Sequence, residues 1–184
     1  MSDNIVHIKR ENGKIILQYN DLKIPAYVGK NGFTNDKKEG DLKTLVGEFD
    51  LGTAFGKHER DEIDINEDIP YFKIKDSHYW VDDINSDSYN ELIESEEKPS
   101  VSGEHLADYK DNAYEYAINI KANPENIKGK GSAIFLHINR FGYTSGCIAI
   151  SKGDMLKLIS MIDSKTRIKI DESLVDNEHK KEMM

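Results

Sequence analysis

Short β-type runs broken by glycine limit what this chain can fold into. Ile5-Val6-His7-Ile8 and Ile15-Ile16-Leu17 flank Asn12-Gly13. Asn-Gly is the strongest short hairpin signal, because both residues accept positive φ. Ile24 to Val28 reads as a further short strand, and Gly29, Gly32, Gly40 and Gly47 mark turns after it. Val46 to Leu51 alternates as a strand does. Tyr114, Tyr116, Ile118 and Ile120 are predicted to share one strand face. Ile134-Phe135-Leu136 is apolar on both faces, the pattern of a central buried strand, and Arg167 to Ile170 reads as a last strand. Helical signals are few. Ser88 to Ser95 predicts one or two helical turns. Ser151 is an N-cap candidate with Asp154 three residues on. Met155, Leu158, Ile159 and Ile162 then fall on one face, which should pack against the sheet directly behind Cys147. The expected fold is mainly β, a sandwich or partly closed barrel of mixed sheets with a few short helices.

With 184 residues the chain is long enough for one domain with a substantial core. That domain is expected over residues 1–171, followed by a frayed polar tail at 172–184. The formal net charge of −9 argues against nucleic acid and against anionic lipid, since both need clustered Lys and Arg. Acid concentrates between Glu59 and Glu97. This is either a solvated surface or a surface that attracts a cationic amine. The first twenty residues hold no apolar stretch long enough for a signal peptide or a membrane span. The six histidines are scattered without zinc-site spacing, so neither a metal nor another cofactor is expected.

Chemistry concentrates in the run from Ser132 to Ile150. It carries the only cysteine, which excludes an intrachain disulfide. Cys147 follows Gly146 directly, between two apolar runs, and His137 lies ten positions upstream (147 − 137). A thiol with an ordinary pKa of about 8.5 is a weak nucleophile until an imidazole takes its proton. Strand-borne histidine and cysteine this far apart can meet. Spacing alone leaves the bland reading open, because a lone cysteine is often a small buried hydrophobe and a half-buried strand histidine is ordinary.

The segment His137, then Thr144-Ser145-Gly146-Cys147-Ile148, resembles the active-site signature of the L,D-transpeptidase catalytic domain, the YkuD-like family of peptidoglycan enzymes. The likeness extends to Tyr27 through Phe33, Lys38 through Thr44, Gly47 through Leu51 and Ala54-Phe55-Gly56. It continues in Trp80 through Ser86 with Tyr89-Asn90, and spans roughly positions 24 to 163. Better-known members carry a histidine where Ser145 stands and an arginine or asparagine where Ala149 stands. Their His-to-Cys spacing is usually longer. The chain therefore resembles the branch that ends Gly-Cys-Ile-Ala.

The resemblance implies acyl transfer on peptidoglycan stem peptides, as acyl donor and acceptor. Cys147 would attack the carbonyl of the third stem residue, D-alanine would leave, and a thioester would remain on the enzyme. An amine of a second stem would then form a 3→3 cross-link. Water in its place would give carboxypeptidase activity, and loss of chemistry would leave a wall-binding domain. His137 is the expected base, within hydrogen-bond reach of the thiol or slightly looser. The N–H groups of Gly146 and Cys147, with Ser145, are candidate oxyanion donors. A backbone carbonyl is one candidate for orienting His137. Tyr143 and Thr144 either fill the turn or touch substrate. Asn139 and Arg140 follow the histidine as substrate-binding candidates; Arg140 either pairs with a stem carboxylate or bridges to the acidic midsection. Trp80, Asp82, Asp83 and Tyr89 are candidate pocket walls, with core packing the alternative for Trp80. The family likeness also implies covalent inhibition by β-lactams of the carbapenem type. It implies work outside the cytoplasmic membrane, with an anchor or leader removed from a fragment such as this one.

Overall fold

Asn12 and Gly13 take φ of 54° and 78°, and their turn joins β1 (Ile5–Glu11) to β2 (Lys14–Tyr19) as an antiparallel hairpin. The structure, a computed structural model, describes residues 3–108 and 112–175. β3 (Leu22–Pro25) pairs with β2, and β4 (Phe33–Thr34) and β5 (Thr44–Leu45) form a separate parallel pair. The long β6 (Gly47–Gly56) carries β7 (Tyr71–Lys73) on its second half. β8 (His78–Val81) is flanked by β9 (Leu92–Glu94) and β10 (Gly103–His105) in a small antiparallel sheet. β11 (Tyr116–Ile120), β12 (Phe135–Ile138), β13 (Ile148–Ile150), α1 (Lys152–Met161) and β14 (Arg167–Ile170) complete the chain.

The main sheet runs β13-β12-β11-β6-β14-β1-β2-β3. Tyr27, just past β3, exchanges backbone hydrogen bonds of 2.9 and 2.8 Å with Ala149 of β13. That bridge joins the two ends of the sheet, and the result is a nearly closed barrel. One apolar cluster holds Val6, Ile8, Leu17, Ile118, Leu136, Ile148, Ile150 and Ile168, together with Met155, Leu158 and Ile159 of α1. A second cluster, with Phe55, Trp80, Leu106, Tyr114, Ala117 and Phe135, packs against Cys147. Alternation along the strands divides the two. Helix α1 thus lies behind the cysteine, on the opposite face of β12 and β13. Ser151 caps it, its Oγ accepting the Asp154 N–H at 3.2 Å.

Three expectations change. Ser88 to Ser95 forms turns and then β9, with no helix. Asn90 sits at φ 62°, outside the helical region, and its side chain binds the Trp80 indole N–H and the Ala133 N–H. Tyr114 precedes β11 and enters the second cluster, away from Tyr116, Ile118 and Ile120. The core also reaches past residue 171, because Leu174 is fully buried; residues 176–184 of the expected tail lie outside the described residues. Among the described residues no helix is long and apolar enough to cross a membrane.

Leu158 is fully buried where α1 meets the sheet. Leu158→Ala removes that contact and leaves a void, so urea unfolding should show a loss of about 2–5 kcal/mol. A loss below about 1 kcal/mol would mean the helix contributes little to the core.

Candidate active site

β12 and β13 run parallel in the register Leu136 to Ile148 and His137 to Ala149. One step back, Phe135 lies opposite Cys147, and its N–H points to the sulfur at 3.4 Å. Side chains alternate along a strand, so Cys147 and His137 project from the same face, two residues apart. The thiol donates to the Ala133 carbonyl at 3.2 Å. His137 is buried, edge-on to the Tyr114 ring at 5.5 Å between centroids. Its Nδ1 lies 2.9 Å from the Ile138 carbonyl oxygen. That oxygen can only accept, so Nδ1 carries the proton and Nε2 is left with its lone pair. No hydrogen bond joins His137 to Cys147; in this state the thiol proton is directed to Ala133.

Burial dominates the electrostatics of both groups. It pushes the Cys147 thiol up to about 12, with the Glu104 carboxylate adding to the rise; the Phe135 N–H and the Lys37 ammonium oppose it. Burial also lowers the His137 pKa, against the stabilising Ile138 carbonyl. The resting pair is therefore a neutral thiol beside a neutral imidazole, and not a thiolate–imidazolium pair.

The loop that leads into Cys147 is clamped from both sides. Thr144 is buried, and its hydroxyl accepts the Gly146 N–H at 3.0 Å and donates to the Cys147 carbonyl at 2.6 Å. Thr44 reaches across from β5, accepting the Gly29 N–H at 2.8 Å and donating to the Gly146 carbonyl at 3.1 Å. Gly146 sits at φ 136°, and a Cβ there would come 2.9 Å from Lys37 Nζ and 3.0 Å from the Lys43 carbonyl oxygen. Only glycine fits. Because its N–H is taken by Thr144, Gly146 is not available as an oxyanion donor. The N–H groups of Ser145 and Cys147 have no partner among the described residues.

Cys147 lies between two cavities. One, of about 190 Å³, is lined by His137, Tyr114, Arg140, Phe141, Tyr143, Thr144, Ser145 and Glu104. The other, of about 220 Å³, is lined by Lys37, Glu39, Asp82, Glu104, Ser132 and Ser145 through Cys147. A groove of about 1120 Å³ continues outward past Asp82, Glu104, Arg140 and residues 98–103.

Ser145, Tyr143, Arg140 and Asp82 thus stand at the cavity walls. Tyr143 is exposed beneath Lys30, whose Nζ is 5.5 Å from the ring centroid, and Arg140 covers the Phe141 ring at 4.5 Å. Thr144 also lines the His137 cavity while it clamps the loop. The remaining candidates are held by contacts within the fold. Asn139 accepts the Gly142 N–H at 2.9 Å and closes a turn. Trp80 is buried against Phe135, with its ring centroid 4.9 Å away. Tyr89 is buried, donating to Glu39 at 2.7 Å and accepting the Gly131 N–H at 2.8 Å. Asp83 binds the Asn85 N–H at 3.0 Å within its own loop. Sequence reading passed over Glu104, Lys37, Glu39 and Thr44. The last three lie in or beside the segments that carry the family likeness, whereas nothing in the sequence marks Glu104. Among the described residues no set of His, Cys, Asp or Glu is arranged to hold a metal ion.

A nearly closed barrel with a lone cysteine and a histidine on adjacent strands narrows the class. Residues 3–170 match the L,D-transpeptidase catalytic domain, YkuD, and the chain belongs to that family. No curated protein matches the sequence. Among solved structures, the chain is similar to the helical cell shape determining protein Pgp2 from Campylobacter jejuni. Identity is 18% and the TM-score 0.47, over 91% of this chain and 47% of that one. It is also similar to Mycobacterium tuberculosis L,D-transpeptidase 1, at 13% identity and a TM-score of 0.39, over 90% of this chain and 60% of that one. The chain thus spans only about half to three-fifths of those proteins.

The lowered His137 pKa has a consequence for stability. Below about pH 6.5 the unfolded chain protonates this imidazole before the folded chain does, so stability falls as pH falls through that point. The slope is at most about 1.4 kcal/mol per pH unit. Urea unfolding of His137→Gln from pH 7 to pH 5 should be flatter than wild type; equal slopes would mean that the folded protein protonates His137 freely.

Proposed function

We propose that this chain is a peptidoglycan L,D-transpeptidase that forms 3→3 cross-links through a thioester on Cys147. The observation that carries the reading is the shared face and shared cavity of Cys147 and His137, with Nδ1 tied to Ile138 so that Nε2 is the basic nitrogen. Burial and the Glu104 carboxylate push the thiol pKa up, which favours attack with the proton passing to Nε2 over a thiolate formed in advance. When a donor stem enters the His137 cavity, the thiol proton turns from Ala133 to Nε2. The sulfur adds to the carbonyl carbon of the third stem residue, and the oxyanion takes up the Cys147 N–H, with Ser145 beside it. Such a donor is worth roughly 3–4 kcal/mol in comparable sites. The imidazolium then gives its proton to the leaving D-alanine amine, and the thioester remains.

The acceptor amine must reach the thioester from outside the donor's cavity. The cavity on the Asp82 side supports that step, since its carboxylates favour a cationic group. An approaching ammonium gives its extra proton to solvent before it attacks. As the C–N bond forms, Nε2 takes the proton released on addition, and as the C–S bond breaks the leaving Cys147 sulfur takes that proton back as the thiol. This second approach favours transpeptidation over hydrolysis, and it favours catalysis over a silent wall-binding domain. The substrate places the reaction outside the cytoplasmic membrane. A carbapenem, whose strained carbonyl can acylate the same sulfur, is the expected covalent inhibitor.

Incubation with a disaccharide tetrapeptide, read by mass spectrometry, should yield cross-linked dimer with loss of D-alanine. Tripeptide alone would give the carboxypeptidase reading, and unchanged substrate the wall-binding one. Cys147→Ala should lower turnover to background while leaving the fold intact, and a carbapenem adduct should form on wild type alone. An adduct on both proteins would place the reactive group elsewhere. Asp82→Asn should slow cross-linking about two- to fivefold while leaving hydrolysis nearly unchanged, an effect that salt weakens over a Debye length of about 8 Å. Equal loss of both rates would make Asp82 a structural residue.

A further inference from the structure

Lys37 is an unusual neighbour for a thiol. Its side chain is 6% exposed, although lysine is almost never fully buried unless paired. Its Nζ pairs with Asp41 and donates to the Lys43 carbonyl at 2.7 Å. An ammonium has three donors, so one remains beyond these two. Nζ lies 2.9 Å from where a Cβ on Gly146 would stand, directly under the peptide that leads into Cys147. Lys37 also lines the cavity that Cys147 and Gly146 share. A neutral donor could hold the Lys43 carbonyl equally well. A buried cation carries a large desolvation cost, which Asp41 offsets. Burial works against the Asp41 carboxylate, yet Lys37 and the Lys38 and Lys43 N–H groups hold its pKa below the usual range. The Asp41 carboxylate is thus held in its charged form against Lys37, beneath the loop that leads into Cys147.

We propose that Lys37 is a positioning residue whose buried positive charge sustains the negative charge that develops at Cys147 during acyl transfer. This rests on the reading of Cys147 as the nucleophile. The other groups around the sulfur set the balance. Glu104 from β10, Glu39 from the β4–β5 connection and Asp82 after β8 bring negative charge to the same cavity. His137 from β12 is neutral at rest, and Arg140 lines the cavity on the far side of the sulfur. Lys37 therefore supplies positive charge on the side where the carboxylates gather. Its field lowers the cost of placing charge on the sulfur, in the same direction as the Phe135 N–H.

Cys147 is the only cysteine, so alkylation by iodoacetamide reports on this sulfur alone. The rate against pH gives the apparent thiol pKa without any peptidoglycan substrate. Lys37→Met should move that profile upward by about one pH unit and slow alkylation about tenfold at pH 8. Should the unpaired Asp41 prevent folding, Lys37→Met/Asp41→Asn removes both charges and should show an upward shift of the same sign. A folded variant whose profile superimposes on that of wild type overturns the proposal. So does a Lys37→Arg variant that keeps the positive charge yet alkylates as slowly as Lys37→Met, because a purely structural clamp would fail in both. Failure of the wild type to form a thioester with tetrapeptide, with the shift still present, would count against the transpeptidase reading and leave the role of Lys37 standing.

Discussion

The parallel register between β12 and β13 is the constraint on which the rest of the site depends. It sets Phe135 opposite Cys147 and His137 opposite Ala149, so the sulfur and the imidazole share one face. A slip of one residue would turn one of them into the apolar core on the other side. Parallel strands usually need a dozen or more residues to connect them, while here residues 139–147 suffice. The short return is possible because it is pinned on the way. Thr144 exchanges backbone hydrogen bonds with Val28 and Lys30 at 2.9 Å each, and Ala149 does so with Tyr27. The contacts that close the barrel therefore also set the position of Cys147.

That rigidity explains why the resting thiol can remain neutral. A thiolate formed in advance would need strong positive charge nearby and would react with any electrophile. Here burial and the Glu104 carboxylate hold the proton on sulfur. On the proposed mechanism, reactivity would depend on a carbonyl arriving where the Cys147 N–H can take its charge and Nε2 can take the proton, and selectivity would come from geometry that only a bound substrate completes.

The sequence was legible where local rules decide the outcome. Asn12-Gly13, the Ser151 cap, the α1 face and the last strand all follow from turn chemistry or periodicity. Cys147 and His137 stood out because reactive side chains next to glycine and apolar runs are few. Ser88 to Ser95 was misread because its structure is set at a distance: Asn90 gives up helical φ to bind Trp80 and Ala133. Thr144 read as a turn or substrate residue, and only the closed loop shows its hydroxyl spent on two backbone groups. Trp80 and Tyr89 belong to the family pattern, yet both are buried and act as supports. Glu104 carries no local signal; strand pairing with β8 alone brings it to the sulfur.

The two cavities at the sulfur impose opposing demands on its surroundings. Carboxylates such as Asp82 and Glu39 would favour a cationic acceptor, but Glu104 and Glu39 also make ionisation of the sulfur harder. Glu104 borders both cavities and the outer groove, so it contributes to both effects at once. A site that used only acid would attract amines and lose its nucleophile. One that used only base would form a ready thiolate and repel the second substrate. A cation buried below the loop, whose counter-ion Asp41 is not among the residues lining the cavity, would separate the two demands: a proposed acceptor would meet the carboxylates, while the sulfur also feels Lys37. On the proposed reading, the Lys37–Asp41 pair under Gly146 is where the fold would reconcile the charge that brings an amine in with the charge that makes a thioester.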